Sequence, residues 1–254
     1  MEPPRIATRA EWLEARRQHL AREKEFTRLH DRLTAERRGL PWVKIEKPYV
    51  FDGPNGKVPF ADLFEGRRQL VVQHFMFGPG WKEGCAGCSF SADHVDAARQ
   101  HFEHNDLSFA AVSRAPYPEI AAFKRRMSWR FTWVSSFAND FNFDFDVSFA
   151  KADEAGGKAF YNFELRGYQN DELPGTSVFV KDDAGQIFHT YSAYARGDEL
   201  LIGAYNFLDL TPKGRNENGP NFDLTDWVRH HDRYENARPR RDRDPAGKWG
   251  ATGH

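Results

Sequence analysis

The sequence predicts an α/β fold with a mixed central sheet and a long helix at the N-terminus. Three observations carry that prediction. Two apolar runs of strand length, QLVVQHFMF (69–77) and LSFAAVS (107–113), are separated by a stretch of helical character. A late pattern, TSVFVKDDAGQIFHTYS (176–192), reads as an antiparallel hairpin. Residues 8–39 carry apolar residues at mostly helical spacing. Alternating β and α elements call for a sheet with helices on both faces, and the hairpin makes that sheet mixed.

In chain order, Thr8-Arg-Ala-Glu11 fits a capping box, in which a hydroxyl and a carboxylate satisfy free backbone N–H groups. Trp12, Leu13, Leu20, Phe26, Leu29 and Leu33 form the stripe behind it, and Gly39 and Pro41 stop the helix. The stripe either docks on the protein's own body or forms a homodimer seam. Apolar runs around Val50-Phe51 and Val58-Phe60 flank Gly53-Pro54-Asn55-Gly56, which predicts a hairpin, followed by a short helix to residue 64. Residues 69–77 form an interior strand. A helix over 88–104 opens at the cysteines, 107–113 is a second buried strand, and Pro118 starts a helix over 118–127. Residues 132–136 give a third strand. Phe141, Phe143 and Phe145 alternate in DFNFDFD, which predicts a half-buried extended segment. The hairpin at 176–192 turns at Asp182–Gly185, and residues 197–210 supply a last helix.

Composition bounds the function. The 254 residues carry a net charge of −1 and include 22 Phe, enough apolar surface for one packed α/β core. Such a balance excludes a whole-molecule field for nucleic acid or an acidic membrane. Residues 1–40 carry ten Arg/Lys against seven Asp/Glu, read as a solvated helix face. No apolar signal region opens the chain and no window approaches a membrane span, so a cytoplasmic location is expected. The expected organisation is a helical extension over 1–40, one domain over 41–236 and a disordered basic tail over 237–254, ARPRRDRDPAGKWGATGH.

The only two cysteines, Cys85 and Cys88, stand in GPGWKEGCAGCSFSADH (78–94), three residues apart. In a reducing compartment such a pair is catalytic, redox-sensing or metal-binding rather than a permanent staple. A strand, a glycine-rich loop and Cys-x-x-Cys opening a helix place Cys85 just before the helix and Cys88 in its first turn. Unpaired N–H groups there favour a Cys85 thiolate, and Cys88 lies within disulfide reach. That supplies an attacking and a resolving thiol. Gly84 and Gly87 keep the surroundings small enough for a partner's disulfide to approach. Trp81 either walls the site or packs beneath it.

A zinc site needs two further ligands, and His94, His101 and His104 follow at no familiar spacing. A structural thiol pair is the other reading. GPGWKEG has its third glycine at the wrong offset for a dinucleotide fingerprint. In the DFNFDFD run, Phe145 and Lys151 occupy the positions where a calcium loop needs Gly and Glu.

Strand–loop–CxxC–helix, then β-α-β and a terminal ββα, resembles the thioredoxin fold, and the early hairpin resembles its peroxiredoxin-like branch. LPWVKIEKPYVFDGP, HFMFGPGWKEGCAGCSFSADH, FKRRMSWRFTWVSS and YNFLDLTPKGR resemble a bacterial family of thioredoxin-like proteins, domain of unknown function 899. The similarity runs from about residue 8 to about residue 235. The resemblance implies a three-layer thioredoxin-like fold and a dithiol–disulfide oxidoreductase, with Cys85 as nucleophile, Cys88 as resolving thiol, and no organic cofactor or metal.

Several positions depart from thioredoxin itself. Thr176 stands where the resemblance places a proline, with Pro174 two residues earlier, and Gly84 replaces the tryptophan before the first cysteine. The peroxidatic pattern P-x-x-x-T-x-x-C, counted from Pro79, meets Glu83 and Ala86 instead. The buried carboxylate that thioredoxins keep before the cysteines has Gln73 or His74 nearest its place. His74 is a candidate base for the resolving thiol, the alternative being a hydrogen-bonded core histidine. Arg114, at the carboxyl end of a strand, either holds an anionic substrate or steadies the Cys85 thiolate, or forms a surface ion pair.

The expected partners are a protein or small-molecule disulfide or a peroxide, and a cellular thiol reductant. A thiol-dependent peroxidase and a non-catalytic redox-sensing or protein-binding module are the alternatives.

Overall fold

The computed structural model describes residues 5–149, 158–167, 170–217 and 227–235. The expected tail over 237–254 lies outside them. The chain divides into two compact units, Met1–Trp42 and Val43–His254.

The first unit is helix α1 (Arg9–Arg38). Its capping box forms as its sequence dictates: Glu11 N–H donates to Thr8 Oγ1 at 3.3 Å, and Thr8 N–H donates to the Glu11 carboxylate at 2.8 Å. Gly39 caps the other end, with Arg37 and Arg38 in the last turn, where cations suit the helix dipole.

The second unit is built on an eight-stranded sheet. Its strands are β1 (Val43–Lys44), β2 (Val50–Gly53), β3 (Gly56–Pro59), β4 (Gln69–His74), β5 (Leu107–Ser113), β6 (Thr132–Ser135), and, after a separate two-stranded hairpin of β7 (Ala159–Tyr161) and β8 (Glu164–Arg166), β9 (Gly175–Lys181) and β10 (Ile187–Tyr194). The order across the sheet is β1-β10-β9-β4-β5-β6-β2-β3. Strands β4, β5 and β6 run parallel, and β9 lies antiparallel on the other side of β4.

Side-chain alternation along β4 splits the core in two. Leu70 and Val72 join Phe51, Phe60, Phe141 and Phe179 on one face. Phe75, just beyond the strand, joins Cys88, Ile120, Phe123 and Trp133 on the other. That second face is covered by α2 (Ala86–Ala92), α3 (Val95–His104) and α4 (Tyr117–Arg126). The first is covered by the 3-10 turn Phe60–Phe64 and the one-turn helix α5 (Phe141–Asp144). A three-layer, mixed α/β, thioredoxin-like fold results, with β4 near the middle of its sheet and the cysteines following it.

Three expectations are corrected. The helix over 88–104 is two helices broken at Asp93–His94, where His94 turns its ring to accept the Ala204 N–H at 3.0 Å. The segment over 140–146 is a helical turn rather than extended. Phe141 and Phe145 are one turn apart, their rings 4.7 Å from centroid to centroid, so both reach the core from a helix. The last helix is a 3-10 stretch, Ala195–Leu201, followed by α6 (Gly203–Leu208).

Candidate active site

The loop after β4 delivers both cysteines to the backbone of one residue, Met76. Cys85 is the residue preceding α2, with extended backbone angles (φ −56°, ψ 134°), and Cys88 lies in the first turn. Cys85 N–H donates to the Met76 carbonyl at 3.0 Å, while Met76 N–H donates to Cys88 Sγ at 3.4 Å. The Cys85 carbonyl accepts from Ser89 N–H at 3.0 Å and from Ser89 Oγ at 2.8 Å. Both thiols are free, Cys85 half-buried and Cys88 buried. Gly84 is demanded by packing, because a Cβ there would lie 2.6 Å from the Phe75 ring and 3.1 Å from that of Phe123. No tryptophan fits in its place.

The two thiols are driven apart in acidity. The hydrogen bond from the Cys88 thiol brings Cys85 from its ordinary 9.0 down to about 7; burial opposes this, and the N–H groups of Cys88 and Gly87 add to it. Cys88 moves well above 9.0, because it supplies that hydrogen bond, is buried, and faces the charges of Cys85 and Asp198. The arrangement favours ionisation of Cys85 ahead of Cys88.

Residues 1–234 match the profile of a family described as "Bacterial protein of unknown function (DUF899)". The chain belongs to this family. A search of curated proteins finds no match. Among solved structures, this DUF899 member is similar to a cysteine-to-serine variant of Xanthomonas campestris peroxiredoxin Q, with 14% identity, 63% of this chain and 90% of that one covered, and a TM-score of 0.42. It is similar also to peroxidoxin BcpB from Mycobacterium tuberculosis, with 14% identity, 65% and 91% covered, and a TM-score of 0.40. A yeast mitochondrial 1-Cys peroxiredoxin follows at 16% identity, 67% and 78% covered, and a TM-score of 0.37.

The residues expected to support the cysteines are distributed as follows in this family member. Trp81 packs, half-buried, against the same apolar cluster as Cys85. Thr176 lies opposite Gln73 in the β9–β4 register. Pro174, before that strand, gives its carbonyl to the Tyr161 hydroxyl at 2.6 Å.

His74 is corrected. Its ring lies on the face away from the cysteines, stacked on Phe141 and Phe145 at 5.6 Å each, with Nε2 at 2.8 Å from Ser177 Oγ. Burial pushes it down to about 3, so it stays neutral. Gln73, its neighbour, faces the site and donates Nε2–H to the Cys88 carbonyl at 3.1 Å. Arg114 is held in an ion pair with buried Glu172 at 3.1 Å, its guanidinium 4.4 Å from the Phe143 ring centroid. Of the roles open to it, the ion pair is the one built, and it is largely enclosed rather than superficial.

Two residues unannounced by the sequence complete the site. Asp198, on the 3-10 stretch after β10, accepts a hydrogen bond from Thr176, and burial raises its carboxyl to about 7. Its Oδ1 is enclosed and has no hydrogen-bond partner among the described residues. Its charge is felt at Cys88. His230 is buried and sits 2.8 Å from the Gly84 carbonyl; since a carbonyl only accepts, Nε2 carries the proton.

A cavity of about 290 Å³ opens beside the nucleophile, lined by Glu83, Cys85, Ala86, Gly87, Val228, Arg229, His230 and Arg233. Among the described residues no three His, Cys, Asp or Glu side chains gather to hold a metal.

Proposed function

We propose that the protein is a thiol–disulfide oxidoreductase of a reducing cytoplasm. The observation that carries this reading is the placement of Cys85 and Cys88 within a single helical turn, both tied to Met76, an arrangement that favours ionisation of Cys85 over Cys88. The Cys85 thiolate attacks one sulfur of a disulfide. The substrate's S–S bond breaks, one half leaves as a thiolate, and the other half stays joined to Cys85. Cys88 then gives up its proton and attacks Cys85 Sγ, forming the Cys85–Cys88 disulfide and releasing the second half. The substrate gains two electrons and the protein's dithiol loses them. A cellular thiol or dithiol reductant returns the pair to its starting state.

Asp198 is the proton acceptor for Cys88 in this reading. Its carboxyl is held at about 7, so that a fraction is ionised at neutral pH, and it has an oxygen free for the proton. Thr176 orients it from the strand that pairs with Gln73.

The test is equilibration in a series of thiol/disulfide redox buffers, followed by alkylation and mass measurement. The expected result is a reversible two-electron transition between two alkylated thiols and one Cys85–Cys88 disulfide. Thiols that stay reduced across the series would remove the reading. Rate constants with hydrogen peroxide and with a model disulfide separate this activity from a peroxidase, which would react faster with the peroxide and form a sulfenic acid at Cys85.

A further inference from the structure

Residues 227–235 return to the cysteine loop and bring a cluster of guanidinium groups with them. Val228 is buried in an apolar cluster with Phe90 and Tyr205. His230 is pinned on the Gly84 carbonyl, its ring edge-on to Phe123 at 5.3 Å. The segment's backbone is therefore fixed on both sides of Arg229.

The ion pairs beside it leave Arg229 out among the described residues. Arg126 donates through Nε and Nη2 to Asp232 at 2.8 and 2.9 Å, and through Nη1 to Glu83 at 2.9 Å. Arg233 takes both oxygens of the same Glu83, at 2.7 and 2.6 Å. Among the described residues Arg126 and Arg233 are thus paired with these two carboxylates, and Arg229 is paired with neither. Its side chain donates to the carbonyl of its neighbour Val228 at 2.9 Å and has no carboxylate partner among the described residues. It lines the same cavity as Cys85, whose volume of about 290 Å³ is at the lower end for small-molecule sites.

We propose that Arg229 selects small disulfides that carry a carboxylate a few bonds from sulfur, by pairing with that carboxylate while the sulfur meets Cys85. This deepens the oxidoreductase reading and rests on it. The cavity takes one arm of the disulfide. Paired to Arg229, that arm holds the scissile bond at the thiolate and cannot drift into solvent. A cationic arm meets the guanidinium's like charge instead and is disfavoured.

The experiment follows single-turnover reduction of three disulfides by the pre-reduced full-length protein: 3,3′-dithiodipropionate (anionic), 2-hydroxyethyl disulfide (neutral) and cystamine (cationic). Wild type, Arg229→Gln and Arg229→Lys are compared, and the readout is the loss of alkylatable thiols. Comparing each rate with that of the same disulfide on wild type cancels the intrinsic reactivity of the leaving thiol. The anionic-to-neutral rate ratio should fall about fivefold in Arg229→Gln at low salt, recover largely in Arg229→Lys, and shrink for wild type at high salt. An unchanged ratio in Arg229→Gln, with the neutral disulfide still reduced, would overturn the selectivity and leave the activity standing. If none of the three disulfides is reduced and no Cys85–Cys88 bond forms, the activity falls and this inference with it.

Discussion

Gln73 donates its side-chain amide to the Cys88 carbonyl across 3.1 Å, while the next residue, His74, faces the opposite side of the sheet. One step along a strand reverses a side chain, so only one of the two meets the sulfurs. His74→Phe should therefore leave both the first attack and the resolving step within about twofold of wild type. It should cost about 1 kcal/mol of stability through the lost bond to Ser177. Gln73→Leu should slow resolution severalfold with attack unchanged. Stopped-flow measurement of each step, with urea unfolding alongside, checks the pair; the reverse pattern would return the role to His74.

Cys85 owes its acidity first to the Cys88 thiol. The rate of Cys85 alkylation by iodoacetamide should rise with pH through about 7, as thiolate replaces thiol. Cys88→Ala removes the largest cause, so the midpoint should move up towards 9.0. The alkylation rate of that variant at neutral pH should drop about fivefold or more. A midpoint unmoved by the substitution would assign the effect to the backbone N–H groups.

Asp198 gives two pH signatures. If it accepts the Cys88 proton, the resolving rate should rise through about 7 as the carboxylate forms. In Asp198→Asn it should be lower by about a hundredfold and lack that inflection, with Cys85 alkylation unaffected. The second signature concerns stability. The folded carboxyl titrates near 7 against an ordinary value of 3.8, so between those values the folded state holds a proton that the unfolded state has released. Stability should decline as pH rises through that window, and the decline should be smaller in Asp198→Asn. Denaturant midpoints across the window measure the difference.

Gly84→Ala tests the floor of the loop. Its Cβ would lie 2.6 Å from the Phe75 ring, and Phe75 has no exposed surface through which to yield. A loss of about 1–3 kcal/mol in urea unfolding is expected. An unchanged midpoint would show that the aromatic cluster repacks freely.

Local chemistry made much of this fold legible. The capping box of α1, the turn at 53–56, the run that becomes β4 and the Cys-x-x-Cys spacing all depend on residues close in sequence. The misread segment over 140–146 shows the limit. Phenylalanines at 141, 143 and 145 fit both a two-residue period and, through 141 and 145, a helical turn. Only the neighbouring strands decide between them. Asp198 sits in ARGDELL, which reads as an ordinary polar helix start. Its meaning comes from enclosure beside Thr176 and the field it exerts on Cys88. His230 reaches Gly84 from 146 residues away, and no spacing rule spans that distance.

That separation has a consequence for how the site comes into being. A ribosome releases the cysteine loop long before Val228, Arg229 and His230 emerge, so the nascent chain meets the cell with its thiol pair unwalled. Until residues 227–235 dock, the Gly84 carbonyl has no imidazole N–H to accept from and Glu83 lacks its Arg233 clamp. The wall that Val228, Arg229 and His230 give the cysteine loop is thus added after the sheet that carries the sulfurs has been made.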